Sequence, residues 1–369
     1  MTDLSTSYLG LSLDSPLVPS ASPLSRSLDN LRRMEDAGAG AVVLHSLFEE
    51  QITLEGWALN NLLDHRSQPH WEASSYYPEP GEFALAPEEY LEHLRAAKHA
   101  LGIPVIASLN GFSARGCVRY ARLLQDAGAD ALELNVYFVP TDPFVDGSVI
   151  EESTLRLMRE VRAAVSIPLA VKLSPFYTNL SIMARRLAMF GANGLVLFNR
   201  FNQPDIDLDL LEISPKPLIS RSGEEEALRL PLRWIGLLHD RVKVDYAATG
   251  GVHEAKDVLK LLMVGASVTM LASELLLNGI ERLSVIRSDM ERWMEEREYE
   301  SVAQMRGSLS HTRAPDPDVF ERAQYVRTVG LFPGPPGFTN ALTTGTAGMS
   351  APGDVRPPSH RALRAGDSG

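Results

Sequence analysis

Short apolar runs recur along the chain and predict β-strands. Several of them follow a glycine that is suited to the end of a helix, as in GAGAVVLHS and GADALELNV. The runs are too short to cross a membrane and are typical of buried strands. They occupy residues 16–22, 38–46, 103–110, 128–136, 167–174, 191–199, 244–251 and 265–273.

Segments with apolar residues three or four positions apart lie between most of these runs and predict helices. They occupy residues 28–38, 87–101, 117–128, 153–165, 181–191, 227–240 and 253–265. Strands that alternate with helices indicate parallel βα units, and eight such units predict an α/β protein with a single (β/α)8 TIM barrel. A doubly wound sheet is the alternative, but no GxGxxG segment opens the first helix.

Two inserts interrupt the alternation, after the second and the sixth strand. Residues 47–86 are rich in His, Trp, Tyr and Pro and suggest a lid or a partner surface, whereas residues 200–222 suggest a small strand pair over the barrel mouth. A charged helix is predicted near 278–298. The barrel domain is expected to span residues 1–330, and the Gly/Pro-rich tail at 331–369 is expected to be disordered.

The composition excludes several classes of partner and site. The formal net charge of −12 and the pI near 5.3 argue against nucleic acid or an anionic membrane as the main partner. Cys117 is the only cysteine, so the chain has no internal disulfide and no cysteine cluster for zinc or iron–sulfur. The N-terminus lacks a signal-peptide pattern, and we therefore expect a cytoplasmic location.

Polar residues gather where the predicted strands end. In a (β/α)8 barrel these carboxyl ends carry the active site, and burying polar groups there without partners would cost several kcal/mol each. A polar ligand that completes their hydrogen bonds is the economical explanation. The residues are Ser20, Ser22, His45, Ser46, Asn110, Glu133, Asn135, Lys172, Ser174, Asn199, Thr249 and Ser273.

Lys172 is the most informative of these residues, because it lies between apolar neighbours on a central strand. It is expected either to pair with an internal carboxylate such as Glu133 or to contact a ligand. As a ligand contact it would act as a fixed cation beside a flavin or as a Schiff-base nucleophile. His45 is equally compatible with a structural and a ligand-binding role. Arg200 is a candidate for binding a carboxylate, with a surface ion pair as the alternative.

The segment ATGGV at 248–252 predicts an anion site. Gly250 and Gly251 let the backbone approach a ligand, and Ala272 and Ser273 after the eighth strand would add backbone donors. Paired loops after strands seven and eight form the common phosphate site of such barrels. A simple tight turn is the alternative. The segment SRSG at 220–223 is a weaker third candidate, and no cluster has metal-ligand spacing.

These segments, in this order, resemble the dihydroorotate dehydrogenases, especially the soluble class 1 enzymes. The resemblance covers roughly residues 5–285. It is carried by SPLVPSAS at 15–22, ALELN at 131–135, PLAVKLSPF at 168–176, Asn199, ATGGV at 248–252 and VGASVTMLASEL at 264–275.

The resemblance implies an FMN cofactor and assigns roles to individual residues. Its phosphate would lie on the backbone at 250–251 and 272–273, with Lys172 beside the flavin ring and the Ser20–Ala21 backbone in contact with it. Asn135 and Asn199 would hold the flavin or the substrate. Arg200, the candidate carboxylate ligand noted above, is expected to contact the substrate. The further cofactor contacts expected are Ser46, Asn110, Ser222, Gly223 and Thr249. A homodimer is expected by the same analogy.

The chain departs from the family pattern around the expected proton acceptor. The family's ELNxSCPN reads ELNVYFVP here, so Phe138 stands where class 1 enzymes keep their cysteine, and no serine replaces it. A strand-end lysine of the family falls on His45. Tyr137, a phenol better suited to act as an acid than as a base near neutral pH, is the expected catalytic group together with Lys172 and His45. Thr141 and Asp142 are alternatives.

The sequence therefore predicts an FMN-dependent oxidoreductase of this group, acting on CH–CH groups of a small planar or carboxylated substrate. The nominal reaction is dihydroorotate to orotate in pyrimidine biosynthesis, with an electron acceptor that the sequence leaves open. Two alternatives are a Schiff-base lyase or aldolase using Lys172 and a flavin-binding subunit without its own chemistry.

Overall fold

The computed structural model describes most of the chain outside the long insert and the tail. The chain divides into two compact units, Met1–Pro315 and Asp316–Gly369. Within the second unit only residues 316–321 are described, and they contain the 3-10 turn Pro317–Phe320. The predicted boundary at 330 lies outside the described residues, as do most of the 47–86 insert and the 331–369 tail. The described residues are 2–49, 87–111, 113–200, 204–214, 219 and 225–321.

Eight parallel strands form the barrel that the apolar runs predict, and each predicted run overlaps one of them. Their hydrogen-bonded order is β3-β12-β11-β8-β7-β6-β5-β4. The two ends of this order lie side by side, with the Gly40 amide donating to the Leu17 carbonyl at 2.9 Å, so the barrel is nearly closed. The strands are β3 Leu17–Pro19, β4 Val42–Phe48, β5 Val105–Asn110, β6 Ala131–Asn135, β7 Leu169–Leu173, β8 Gly194–Leu197, β11 Asp245–Thr249 and β12 Val268–Leu271.

Helices lie between the strands and cover the barrel. The seven predicted helices are present, and the charged helix after β12 is present as α9. The helices are α1 Leu28–Asp36, α2 Pro87–Ala100, α3 Ala114–Asp126, α4 Gly147–Ala164, α5 Leu180–Met189, α6 Glu225–Leu238, α7 Ala255–Val264, α8 Ser273–Asn278, α9 Arg282–Glu296 and α10 Val302–Met305, with a 3-10 turn at Pro23–Arg26.

A hairpin that the apolar pattern does not predict fills the end of the barrel where the strands begin. Its strands are β1 Thr6–Tyr8 and β2 Leu11–Leu13. Tyr8 and Leu9 are buried in the cluster formed by the inward side chains of the barrel. The Leu9 amide also donates to the Asp245 carboxylate at 2.8 Å. The hairpin therefore closes one end and leaves the carboxyl ends of the strands as the open end.

A second hairpin follows β8, in the insert where the sequence predicts a small strand pair. Its strands are β9 Asp205–Asp207 and β10 Glu212–Ser214, paired antiparallel. Its aliphatic side chains face solvent, with Ile206 63% and Leu211 82% exposed. Such a concentration of exposed apolar side chains is unusual on a monomer.

Candidate functional site

A cleft opens at the carboxyl ends of five of the strands, β3, β7, β8, β11 and β12. Strands that end at the same face of a barrel bring together residues that are far apart in the chain, which is why this face carries the chemistry of such folds. Most of the lining residues are members of the predicted site. They are Ser20, Ala21, Lys172, Phe198, Asn199, Arg200, Thr249, Gly250, Gly251, Val252, Met270, Ala272 and Ser273.

Lys172 and Glu133 form a buried ion pair beside this cleft. The Lys172 ammonium lies 3.3 Å from Oε1 of Glu133, and their side chains are 9% and 1% exposed. Glu133 Oε2 is buried and has no hydrogen-bond partner among the described residues. An ammonium has three N–H groups, so the pairing leaves Lys172 donors for a ligand in the cleft. The carboxylate pairing and the ligand role that the sequence offers as alternatives are therefore compatible.

Two amides on neighbouring strand ends form the second polar pair. Asn199 Nδ2 donates to Asn135 Oδ1 at 2.8 Å. Asn135 is itself paired in register with Asn110 of β5 and with Lys172 of β7. The alternation of β6 thus places Glu133 and Asn135 on one face, as the sequence predicts. Asn135 is connected to the cleft through Asn199.

A β-bulge in β4 decides which of its polar residues faces the barrel interior. Val43 pairs with Ile106, but the register then shifts and Ser46 pairs with Ser108. Because a shift of one residue exchanges the two faces of a strand, Ser46 takes the inward position. Its hydroxyl lies 2.9 Å from the hydroxyl of Ser108.

The structure does not bring His45 together with the other predicted catalytic residues. The bulge turns its ring toward helix α2, where it meets Tyr90 edge-on with ring centroids 4.8 Å apart and His93 at 5.7 Å. Burial, with the nearby charges of Arg26 and His93, lowers the pKa of His45 to about 4. Its Nδ1 is buried without a partner among the described residues. These contacts are those of a neutral, buried ring packed against helix α2.

The loop after β11 has the backbone shape of an anion cradle. Gly250 and Gly251 have φ angles of +96° and +70°, which side chains rarely adopt. A Cβ on Gly251 would also lie 3.0 Å from the Leu228 amide nitrogen of helix α6. The loop therefore presents bare backbone to the cleft on one side and packs tightly on α6 on the other. Such a loop suits a phosphate, which backbone N–H groups bind well.

The remaining predicted residues fall in different places. Tyr137 is half-buried at the start of the loop after β6 and is not among the residues that line the cleft. Phe138 beside it is 47% exposed. Ser222 and Gly223 lie outside the described residues. Phe198, Val252 and Met270 line the cleft without having been predicted, because an apolar residue in an apolar run carries no signal for ligand contact.

Neither a metal cluster nor a membrane helix is found in the part of the chain that the structure describes. No group of three or more His, Cys, Asp or Glu side chains there has an arrangement that would hold a metal ion. None of the described helices is long and apolar enough to cross a bilayer.

Comparison with known proteins identifies the family of this chain. Residues 80–294 match the family model described as dihydroorotate dehydrogenase. The chain belongs to the dihydroorotate dehydrogenase family. The match confirms the resemblance seen in the sequence and the enzyme class that it implied, because dihydroorotate dehydrogenases are flavin-dependent oxidoreductases acting on CH–CH groups.

Individual relatives in the dihydroorotate dehydrogenase family cover nearly the whole barrel. The chain is 26% identical over 314 residues to dihydroorotate dehydrogenase B (NAD(+)), catalytic subunit, of Thermoplasma acidophilum, covering 83% of this chain and 99% of the relative. It is 26% identical over 323 residues to the protein of the same name from Methanothermobacter thermautotrophicus, covering 84% and 98%. Dihydroorotate dehydrogenase A (fumarate) of Limosilactobacillus reuteri is 30% identical over 182 residues, 46% of this chain and 56% of the relative.

Proposed function

We propose that this chain is an FMN-dependent oxidoreductase that exchanges a hydride equivalent with a small, planar, carboxylated substrate. The nominal reaction is the oxidation of dihydroorotate to orotate in pyrimidine biosynthesis. The observation that carries the proposal is the cleft that Lys172 and the glycine loop at 250–251 line together. A fixed cation and a bare backbone loop in one cleft match the two parts of FMN, a ring that becomes anionic on reduction and a phosphate.

The cleft residues fit FMN in their chemistry. Gly250 and Gly251 offer backbone to the phosphate where a Cβ would be excluded, and the backbone at 272–273 borders the same cleft. Lys172 would stabilise negative charge on the ring, and Ser20 and Ala21 would contact the ring from β3. Bound FMN would supply the hydride chemistry. The protein residues bind it, orient it and keep the ammonium of Lys172 in place through Glu133.

Arg200 and the two amides are the proposed substrate contacts. Arg200 and Asn199 line the cleft, and Asn199 is bonded to Asn135. A guanidinium recognises a carboxylate in bidentate geometry, and side-chain amides complement the polar edge of a planar ring. We therefore propose a substrate that carries a carboxylate next to hydrogen-bonding ring atoms, as dihydroorotate does.

Tyr137 is the proposed proton donor or acceptor at the substrate. The loop at 136–146 reads VYFVPTDPFVD and contains neither cysteine nor serine. Asp142 is exposed, and its Oδ1 accepts the Phe144 amide at 2.9 Å within the loop. Tyr137 is two residues from Asn135, closer to the cleft along the chain. Tyr137→Phe should slow substrate turnover about tenfold or more while FMN content is unchanged, because general acid–base groups contribute at least that much.

The test of the proposal is an anaerobic titration of the FMN-loaded protein with dihydroorotate. Loss of the oxidised flavin absorbance on the time scale of turnover would support both the cofactor and the substrate class. Flavin that stays oxidised with dihydroorotate, but is bleached by dithionite, would remove dihydroorotate as the substrate.

A flavin-binding subunit without its own substrate chemistry is the second candidate. The specific observation in its favour is Phe138 at the position of the family's cysteine, since a phenyl ring takes no proton. Retention of FMN without reduction by any dihydroorotate-like compound would favour it. The Schiff-base lyase is less favoured, because Glu133 holds the Lys172 ammonium as an ion pair. Borohydride trapping of a carbonyl substrate on Lys172 would reverse that order.

The partners and the location are proposals by family analogy. Relatives named as NAD(+)-linked catalytic subunits suggest that electrons leave through a partner or a soluble acceptor. A homodimer and a cytoplasmic location stay predictions.

A further inference from the structure

We propose that His253 and Glu274 clamp the phosphate-binding backbone and act as positioning residues for FMN. The clamp rests on the FMN site proposed above and extends it to two side chains outside the cleft. Each follows a cleft-lining residue in the chain, since His253 comes after Val252 and Glu274 after Ser273. A bond between the two side chains therefore joins the two backbone segments that would hold the phosphate.

The His253–Glu274 bond is short and buried. Nδ1 of His253 lies 2.9 Å from Oε2 of Glu274, and the two residues are 8% and 3% exposed. It connects the loop after β11 to helix α8 after β12. These strands are neighbours in the barrel, but β11 and β12 pair only up to Thr249 and Met270. Beyond these residues, the His253–Glu274 bond connects the loop after β11 to helix α8.

The Glu274 carboxylate is the fixed end of the clamp. It accepts Nε of Arg282 at 2.5 Å and Nδ2 of Asn278 at 2.8 Å in addition to the histidine. Burial alone would raise its pKa, but the hydrogen bonds from Arg282, Asn278 and His253 outweigh burial and hold the pKa below its usual range. An ionised carboxylate with three donors is a rigid anchor at neutral pH.

His253 depends on this anchor. Its ring nitrogen Nε2 is buried and has no partner in the described part of the chain, so Glu274 is the one hydrogen-bond acceptor found there for its ring. Its backbone amide donates to Asp257 Oδ2 at 3.1 Å, which ties the end of the loop to the start of helix α7. Without the Glu274 carboxylate, the buried ring of His253 would lose the hydrogen bond that fixes its orientation.

The glycine loop is thereby held from two sides. On one side a Cβ on Gly250 would lie 3.2 Å from the Ala227 carbonyl oxygen of helix α6. On the other side the clamp fixes His253, two residues after Gly251. Two consecutive glycines have many accessible backbone conformations. A loop that contains them therefore needs restraint to direct its amide groups toward a phosphate.

The experiment compares FMN with riboflavin, which lacks the phosphate. Apoprotein of the wild type, His253→Ala and Glu274→Gln is titrated with each flavin by fluorescence quenching, and unfolding is measured in parallel. We expect each variant to lose about tenfold in FMN affinity, equal to about 1.4 kcal/mol, while riboflavin affinity changes less than about twofold. His253→Asn, whose amide can donate to Glu274, should recover part of the FMN affinity.

A matched control removes an ion pair at the other end of the barrel. Nζ of Lys98 lies 2.6 Å from Oδ2 of Asp130, and the same oxygen accepts a hydrogen bond from the Val105 amide at the start of β5. Lys98→Ala should leave the ratio of FMN to riboflavin affinity unchanged. Equal loss of both flavins in the clamp variants, or loss of stability alone, would overturn the clamp and leave the FMN site standing. A wild type that binds neither flavin would overturn the proposed function itself.

Discussion

At the scale of single residues, Lys172 has two proposed roles, as a flavin contact and as the partner of Glu133, and a single substitution would affect both. Its ammonium faces a cleft and also neutralises the buried Glu133. Lys172→Ala would leave an uncompensated carboxylate in the barrel, and breaking a buried pair in this way costs about 3–5 kcal/mol. Loss of flavin reduction in that variant would then say little about chemistry.

A double substitution separates these functions. Lys172→Met with Glu133→Gln removes both charges, so we expect the free energy of unfolding to return to within about 1–2 kcal/mol of the wild type. Flavin reduction by substrate should stay at least about tenfold slower, since the cation beside the ring is gone. Denaturant unfolding and anaerobic stopped-flow reduction measure the two quantities. Recovery of both together would make Lys172 a purely structural residue.

His45 gives a pH-dependent prediction. Its pKa in the folded protein is lowered to about 4, mainly by burial, from an ordinary value of 6.5. The unfolded chain therefore binds a proton that the folded chain rejects, and stability is lost as the pH falls from 6.5 toward 4. At pH near 5 the loss attributable to His45 should be about 2 kcal/mol.

The check is a comparison with His45→Phe, which keeps a ring against Tyr90. The difference in unfolding free energy between wild type and variant should shift by that amount in favour of the variant between about pH 7 and pH 5. A difference that is constant over this range would mean that His45 is not held neutral.

At the scale of elements, the proposed phosphate loop after β11 depends on the backbone conformation of its two glycines. Gly251→Ala would place a Cβ 3.0 Å from the Leu228 amide nitrogen at a φ of +70°. We expect the substitution to cost about 1–2 kcal/mol of stability and to weaken FMN binding about tenfold. Gly128→Ala is the matched control, because Gly128 also has positive φ, at +97°, but ends helix α3 away from the cleft. It should lower stability without changing FMN affinity.

The strands and helices also show which elements the sequence pattern predicts and which it does not. Each predicted barrel strand and each of the seven helices is present, because burial on a central strand or beneath a helix imposes its period on the sequence. The hairpin of β1 and β2 was not predicted, because a serine interrupts each of its strands, TSY and LSL, and leaves no continuous apolar run. A helix that seals the barrel would have been easier to predict.

The bulge in β4 explains the main difference at the candidate site. Strict alternation predicts that His45 shares the face of Val43, and hence the polar interior. The register shift before Ser46 reverses this, and such a shift depends on pairing with β5 rather than on the β4 sequence alone. Ser46, by contrast, takes the inward position, and the residues at 249–251 and 272–273 line one cleft.

At the scale of the whole molecule, the exposed hairpin of β9 and β10 tests the homodimer. Leu208 and Leu210 are 79% and 68% exposed, so replacing both with Ser should change the unfolding free energy of the chain by less than about 1 kcal/mol. If a second copy covers this hairpin, the double variant should sediment as a monomer. Val285→Ser, at an exposed position of helix α9, should sediment like the wild type. A dimer that survives the hairpin substitutions would assign another surface to the contact.

The central claim is that the cleft between Lys172 and the glycine loop binds FMN. The most direct measurement is the flavin content of the purified protein, released by denaturation and identified by chromatography, before and after incubation with FMN. We predict one FMN per chain, a yellow protein, and a marked loss of FMN in Gly251→Ala. A colourless protein that takes up no FMN after incubation would contradict the account.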